Sequence, residues 1–231
     1  MWEDLAASVP RMARGPARVF TGMRDAMKKI PRWMTDWLDN TQGLVEPEEG
    51  RRLAGLAGIV PKERAIVEIG SHTGLSTCWL AAGSRYGYGA HITAVDPWPP
   101  PREGSQDDPW NLGPDGVIER FQSNLAGTTQ DTIGGDFRDL VTPLRMDSHG
   151  ASKIWLNEIG LLFIDAIHEE WAVLQDYGSW ERFIPPGGFL AMHDYGETYP
   201  GCKRAIDTIE ALGDWNPLGI TGSLWTGERK W

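Results

Sequence analysis

Four side chains in the second half of the sequence have the types and spacing for metal or acid–base chemistry: Asp165, His168, His193 and Asp194. Asp165 ends an apolar run, Gly160-Leu161-Leu162-Phe163-Ile164, and His168 follows three residues later. His193 and Asp194 end a second run, Phe189-Leu190-Ala191-Met192. Nearly continuous apolar runs of this length make buried parallel strands. Two adjacent strand ends would bring Asp165, His193 and Asp194 to a common point. Paired carboxylates suit Mg2+ or a similar hard cation. An imidazole beside them widens the choice to Mn2+, Fe2+ or Zn2+. His168 can serve as a general base near neutral pH, or simply as a hydrogen-bonded residue at a helix start.

A second constellation lies earlier. Ala65-Ile66-Val67-Glu68-Ile69 reads as a buried strand, Gly70-Ser71-His72-Thr73-Gly74 as a turn, and Leu75 onward as a helix. Such a strand, turn and helix start can cradle an anion or a nucleotide, because free backbone N–H groups point at the ligand and glycine permits close approach. An ordinary strand-to-helix turn carries the same two glycines, so residues further on decide. Asp96 ends the next apolar run, His91-Ile92-Thr93-Ala94-Val95. A carboxylate there can accept hydrogen bonds from both hydroxyls of a ribose. The turn lacks the middle glycine of Gly-x-Gly-x-x-Gly, which lets a backbone approach a pyrophosphate. The pattern therefore favours an adenosine-containing ligand without phosphates, S-adenosylmethionine above all, with its aminoacyl group near the glycine turn.

The elements that must position these residues alternate. Strands are expected at 65–70, 91–96, 141–146, 160–165 and 189–193, helices at 74–84, 115–126, 149–156, 169–183 and 201–212, and two short strands between 217 and 229. Strands separated by helices imply an α/β fold with a doubly wound parallel sheet and helices on both faces. Ligands of such sheets bind beyond the carboxyl ends of the strands, where Glu68, Asp96, Asp147, Asp165 and His193-Asp194 all fall. Glu46-Pro47-Glu48-Glu49 starts another helix, with proline in the first turn and acids near the positive end of the dipole. The loop 97–114 is long for a strand-to-helix connection, which points to a functional segment such as a cover for an acceptor.

Residues 1–44 read as an N-terminal helical extension to a domain spanning 45–231. Val19, Phe20, Met23, Met27 and Ile30 fall at helical spacing, which suits a helix packed on the domain or on a second subunit, and less readily a substrate lid. The net charge of −10 disfavours a nucleic-acid binder. No apolar run is long enough for a membrane helix, and no signal-peptide pattern is expected. Cys78 and Cys202 provide neither a disulfide framework nor metal-ligand spacing, which fits a reducing cytoplasm. Several of the twelve tryptophans, Trp98 and Trp110 among them, fall in loops, where they can pack a lid or stack on a ligand.

Taken together, Val67-Glu68-Ile69-Gly70-Ser71-His72-Thr73-Gly74, Ala94-Val95-Asp96, Phe163-Ile164-Asp165-Ala166-Ile167-His168 and Pro186-Gly187-Gly188-Phe189-Leu190-Ala191-Met192-His193-Asp194 resemble a class I S-adenosylmethionine-dependent methyltransferase. Among these enzymes the chain is most similar to the metal-dependent small-molecule O-methyltransferases of the catechol, caffeoyl-CoA, macrolide-sugar and cephalosporin-biosynthesis type. The resemblance implies a mostly parallel, seven-stranded Rossmann-like sheet closed by a C-terminal antiparallel hairpin. It implies that Glu68, Gly70, Ser71, Gly74 and Ser76, with His72 in the same turn, hold the methionine part of S-adenosyl-L-methionine. By the same resemblance Asp96 binds the ribose, and Asp147 and Ser148 lie against the adenine. Asp165, His193 and Asp194 match the positions that hold a divalent metal, Mg2+ in the first instance, and His168 matches a proposed base. Position 193 is usually Asp or Glu in that family, and here it is His. The implied partner is a small-molecule acceptor with a free hydroxyl; separately, the N-terminal helices suit contact with a second copy in a homodimer or higher homo-oligomer. Two other readings remain open: a nucleotide-dependent oxidoreductase on a doubly wound sheet, and a non-catalytic cofactor-binding protein.

Overall fold

The computed structural model describes residues 16–98, 116–129, 132–133 and 135–231. The expectations for residues 1–15 and for most of the loop 97–114, Trp110 included, lie outside these. Three helices come first: α1 (Pro16–Met27), α2 (Arg32–Asp39) and α3 (Pro47–Gly58). β1 (Ala65–Ile69), α4 (Leu75–Tyr86), β2 (Ile92–Asp96) and α5 (Gly116–Leu125) follow, then a minimal hairpin of β3 (Thr128–Thr129) and β4 (Thr132–Ile133). Alternation resumes with β5 (Val141–Arg145), α6 (Ser148–Ile154), β6 (Ile159–Ile164), α7 (Glu170–Trp180), β7 (Phe189–Met192) and α8 (Pro200–Ala211). β8 (Trp215–Thr221) and β9 (Leu224–Arg229) close the chain.

The main sheet has seven strands in the order β5-β2-β1-β6-β7-β9-β8. The first five are parallel, and β9 pairs antiparallel with both β7 and β8. This is the doubly wound sheet that the alternation implies, with the Rossmann-like seven-strand arrangement and C-terminal hairpin that the resemblance implies. The period-two geometry of the central strands sorts their side chains between two helical layers. Ile66, Leu161, Phe163, Phe189 and Ala191 pack towards α1–α5. Val67, Ile69, Leu162, Ile164, Leu190 and Met192 pack towards α6–α8. Because both faces are covered, β6 is buried along its whole length.

The N-terminal helices belong to the first layer. Val19, Met23, Ile30, Met34, Trp37 and Leu38 join the same core cluster as the sheet. Phe20 departs from the expected apolar stripe: it is 42% exposed, with the Arg52 guanidinium 5.0 Å from its ring. α1 ends at Met27, so Ile30 is buried from the connection ahead of Pro31 rather than from a helix. α2 and the β3–β4 hairpin have no counterpart in the sequence reading. Among the described residues no helix is long and apolar enough to cross a membrane.

Strand ends fall slightly earlier than the apolar runs suggest. Gly70, Met146, Asp165 and His193 each lie one position past their strand. The main-chain ladder nevertheless continues through them: Gly70 N–H donates to Val95 C=O (2.9 Å), Asp165 N–H to Ile69 C=O (2.9 Å) and His193 N–H to Ile164 C=O (3.1 Å). The chain turns at these points, with φ +85° at Gly70 and +61° at Asp194. A Cβ added to Gly70 would lie 2.0 Å from the Asp165 carbonyl oxygen. Gly70→Ala should therefore combine left-handed backbone strain with a backbone clash and cost about 3–5 kcal/mol. Urea unfolding would read this as a lowered midpoint, and a loss below about 1 kcal/mol would contradict the packing described.

Candidate functional site

The glycine turn is tied to the end of β2. Asp96 Oδ2 accepts the Ser71 N–H (3.0 Å) and the His72 N–H (2.9 Å), and Oδ1 accepts the Trp98 N–H (2.6 Å). Trp98 Nε1 donates back to the His72 carbonyl (2.8 Å), and its ring packs on Phe121 at 4.8 Å. Asn124 Nδ2 donates to the Thr73 carbonyl (2.8 Å). Asp96 thus fixes the turn, and one lone pair of Oδ1 remains for a ribose hydroxyl where the sequence suggested two carboxylate contacts. The N-terminus of α4, with Gly74 at its cap position and no side-chain cap among the described residues, faces the same rim.

Glu68 supports the turn from beneath. It is fully buried and accepts hydrogen bonds from Ser71 Oγ (2.8 Å), Ser76 and Thr77. Burial pushes its carboxyl up to about 7 against the opposing effect of those hydroxyls. Among the described residues its Oε1 has no hydrogen-bond partner, although it is buried. Ser71 and Ser76 are likewise buried. Glu68, Ser71 and Ser76 thus brace the glycine turn from within through buried hydroxyl–carboxylate bonds.

Asp147 and Ser148 reach the rim at the end of β5 but have structural partners. Asp147 caps α6 by accepting the Gly150 N–H (2.7 Å). Ser148 Oγ accepts the Trp180 Nε1–H (2.9 Å).

Across the rim the second cluster converges. His193 is buried, with Nδ1 3.4 Å from Asp165 Oδ1 and 3.3 Å from Asp194 Oδ1. Its Nε2 lies 3.0 Å from Glu49 Oε2. Desolvation alone would lower the His193 pKa, but Asp165, Asp194 and Glu49 outweigh it and raise it. Both ring nitrogens therefore face carboxylates. Asp194 is held below the usual carboxylate range, where burial is outweighed by the bonds from His168 and His193. His168 Nε2 is 2.8 Å from Asp194 Oδ2, and its ring lies 4.2 Å from that of Tyr199. The Asp194 bond, opposed by desolvation, raises the His168 pKa above 6.5. One donor atom each from Asp165, His168 and Asp194 lies within 4.8 Å of the others, so His168 stands beside the same point. The small cavity at this point is also lined by Ile164, Val173 and Cys202.

Glu49 was not a candidate from sequence. It sits in the first turn of α3, where it completes a capping box with Glu46, and local reading accounts for it as a cap. The overlooked signal is its phase: Glu49 precedes Leu53 and Leu56 by four and seven positions, on the face that enters the core. Its carboxyl falls to about 2, because His193 and the N–H groups of Ser223 and Glu46 outweigh burial.

Among the described residues, the donor atoms of Asp165, His168 and Asp194 lie close enough together, within 4.8 Å of one another, to hold a divalent cation. Ligands about 2.1 Å from a common ion stand roughly 3–3.5 Å apart, and His193 Nδ1 keeps that spacing from Asp165 and from Asp194, so the structure offers His168 as well as His193 as the imidazole donor.

Residues 67–195, more than half of the chain, match the family model described as a methyltransferase domain. The fold is shared with solved structures of low sequence identity. The O-methyltransferase NovP superposes with a TM-score of 0.61 at 13% identity, covering 94% of this chain and 98% of that one. An O-methyltransferase from Bacillus cereus in complex with SAH superposes at 0.55 and 18%, covering 98% and 96%. A methyltransferase from Geobacter sulfurreducens does so at 0.57 and 17%, covering 98% and 93%. With the glycine turn, Asp96 and the seven-stranded sheet in place, the chain belongs to the methyltransferase-domain family and is a class I S-adenosylmethionine-dependent methyltransferase resembling the O-methyltransferases.

Proposed function

We propose that this methyltransferase is a metal-dependent O-methyltransferase that acts on a hydroxyl of a small molecule such as a sugar or a phenol. The observation that carries the reading is the convergence of Asp165 Oδ1, His193 Nδ1 and Asp194 Oδ1 beside His168. The same rim holds the glycine turn, and Gly70 and Asp165 touch across it. Asp165, His193 and Asp194 would hold the cation, which when bound lowers the pKa of an acceptor hydroxyl. S-adenosylmethionine supplies the sulfonium methyl group.

The chain's own residues do the rest. Asp194 receives the His168 Nε2–H and leaves Nδ1 with the lone pair, so Nδ1 takes the proton of the acceptor hydroxyl. Tyr199 against the imidazole face restrains the ring. With the glycine turn holding the methyl donor and the acidic cluster orienting the acceptor, proximity contributes much of the rate. Ile167, Trp171 and Tyr199 are 55%, 65% and 38% exposed. Ile167 and Trp171 lie close to His168 in the chain and Tyr199 packs on its ring, and together they favour an acceptor with an apolar or ring face.

S-adenosylhomocysteine should raise the melting temperature and NAD should not; stabilisation by NAD alone would overturn the reading. Asp165→Ala and Asp194→Ala should abolish turnover while leaving S-adenosylhomocysteine affinity within about twofold by calorimetry. Chelator should do the same, and turnover that survives it would remove the metal from the mechanism. His168→Gln should lower kcat by about 10²–10⁴. A base works unprotonated and the Asp194 bond raises its pKa, so wild-type activity should fall as pH drops through a value above 6.5. That acid limb should vanish in His168→Gln, and an unchanged profile would assign the proton to another group.

A further inference from the structure

We propose that Glu49 is a positioning residue for His193, and that the pair makes this rim a two-carboxylate, one-imidazole centre selective for first-row transition-metal dications over Mg2+. The inference rests on the metal-dependent reading above and concerns which cation that site takes and what sets the imidazole in place.

An imidazole can ligate through one nitrogen only if that nitrogen presents its lone pair, and the partner of the other nitrogen decides which one does. Here the partner is unambiguous. Glu49 Oε2 is 3.0 Å from His193 Nε2. Ser223 Oγ also lies 3.3 Å from Nε2 but donates its proton to Glu49 Oε1 at 2.9 Å. Nε2–H is therefore directed to Glu49, and Nδ1 faces the two aspartates. Nδ1 stands 3.4 Å from Asp165 Oδ1 and 3.3 Å from Asp194 Oδ1, so a cation between the three would complete the set.

Glu49 is itself held rigidly, as a residue that orients another must be. Oε1 accepts the Ser223 N–H (2.7 Å) and Oε2 accepts its own helix-start N–H, from Glu46 (3.0 Å). The β8–β9 turn reaches it because Gly222, at φ +59°, leaves room: a Cβ there would stand 2.5 Å from Glu49 Oε1. Glu49 is only 2% exposed, so its carboxylate has little alternative in water.

The consequence is a change of metal class. A third carboxylate at position 193 would give an all-oxygen set suited to Mg2+. An imidazole nitrogen in its place is a softer donor and removes one negative charge, which favours Mn2+, Fe2+, Co2+ or Zn2+.

The full chain, stripped with chelator, would be titrated calorimetrically with Mn2+ alone and with Mg2+ alone. Wild type should bind Mn2+ at least about tenfold more tightly than Mg2+. Glu49→Gln, which keeps the shape of the side chain, should weaken Mn2+ binding about 10–100-fold. Glu49→Ala should do so at least as strongly, with S-adenosylhomocysteine affinity unchanged in both as the control for folding. His193→Asp should shrink the Mn2+/Mg2+ ratio and, in the Co2+-loaded protein, shift the visible bands as a nitrogen donor is lost. Mn2+ affinity unchanged in both Glu49 variants, no preference in wild type, or an unaltered ratio in His193→Asp would each overturn the inference while leaving the metal-dependent function standing. Wild type that binds S-adenosylhomocysteine but neither metal would overturn both.

Discussion

The approach of β1 to β6 at their carboxyl ends is the constraint on which the rest of the site depends. The Asp165 N–H donates to the Ile69 carbonyl, and the Asp165 carbonyl oxygen lies where a Cβ of residue 70 would be. Only glycine allows the chain to turn there with φ +85° and still pack. The turn that follows Gly70 is the cofactor cradle, and the residue it packs against belongs to the acidic cluster. On the proposed reading, this main-chain packing at the centre of the sheet would place methyl donor and acceptor side by side, in a way that a rotamer change cannot disturb.

Charge is the second constraint. Glu49, Glu68, Asp165 and Asp194 crowd one side of the rim, and each anion taken from water needs a partner. Glu68 is handled by hydroxyl donors, while burial pushes its carboxyl up to about 7. Glu49 and Asp194 are handled by the two histidines and stay ionised, with pKa values below the ordinary carboxylate range. His193 compensates three carboxylates at once, which explains its burial despite being polar. Removing it would leave those charges facing one another.

The sheet and most of the candidate site were legible in the sequence for a common physical reason. Strands buried on both faces are apolar throughout, so polar residues at their ends stand out, and Asp96, Asp165, His193 and Asp194 were visible that way. What could not be read is tertiary. Asp96 looks like a free ribose ligand, yet its carboxylate first receives the backbone of the turn. Asp147 looks like a rim residue and caps α6. Glu49 looks like a helix cap, which it is, while its other lone pairs serve a histidine 144 positions away. α2, with a short sequence and no capping side chain, carries little local signal, and its burial of Met34, Trp37 and Leu38 comes from contacts with the rest of the core.

The hairpin at the sheet edge gains a meaning from the same network. β8 and β9 add antiparallel strands next to β7, and in a doubly wound sheet such an addition needs no more explanation than burial of Trp215, Leu224 and Trp225. Their turn, however, places Ser223 on Glu49 and accepts the Tyr195 N–H at the Ser223 carbonyl (2.8 Å). Tyr195 immediately follows Asp194, whose left-handed backbone conformation at φ +61° is uncommon for a residue with a side chain. The hairpin thus grips the His193–Asp194 segment from one side and Glu49 from the other. It holds Asp194 in a strained turn that aims one carboxylate oxygen at His193 and the other at His168. The C-terminal strands are therefore part of the centre's support, and the precision of the acidic cluster depends on an edge of the sheet that contributes none of its proposed metal ligands.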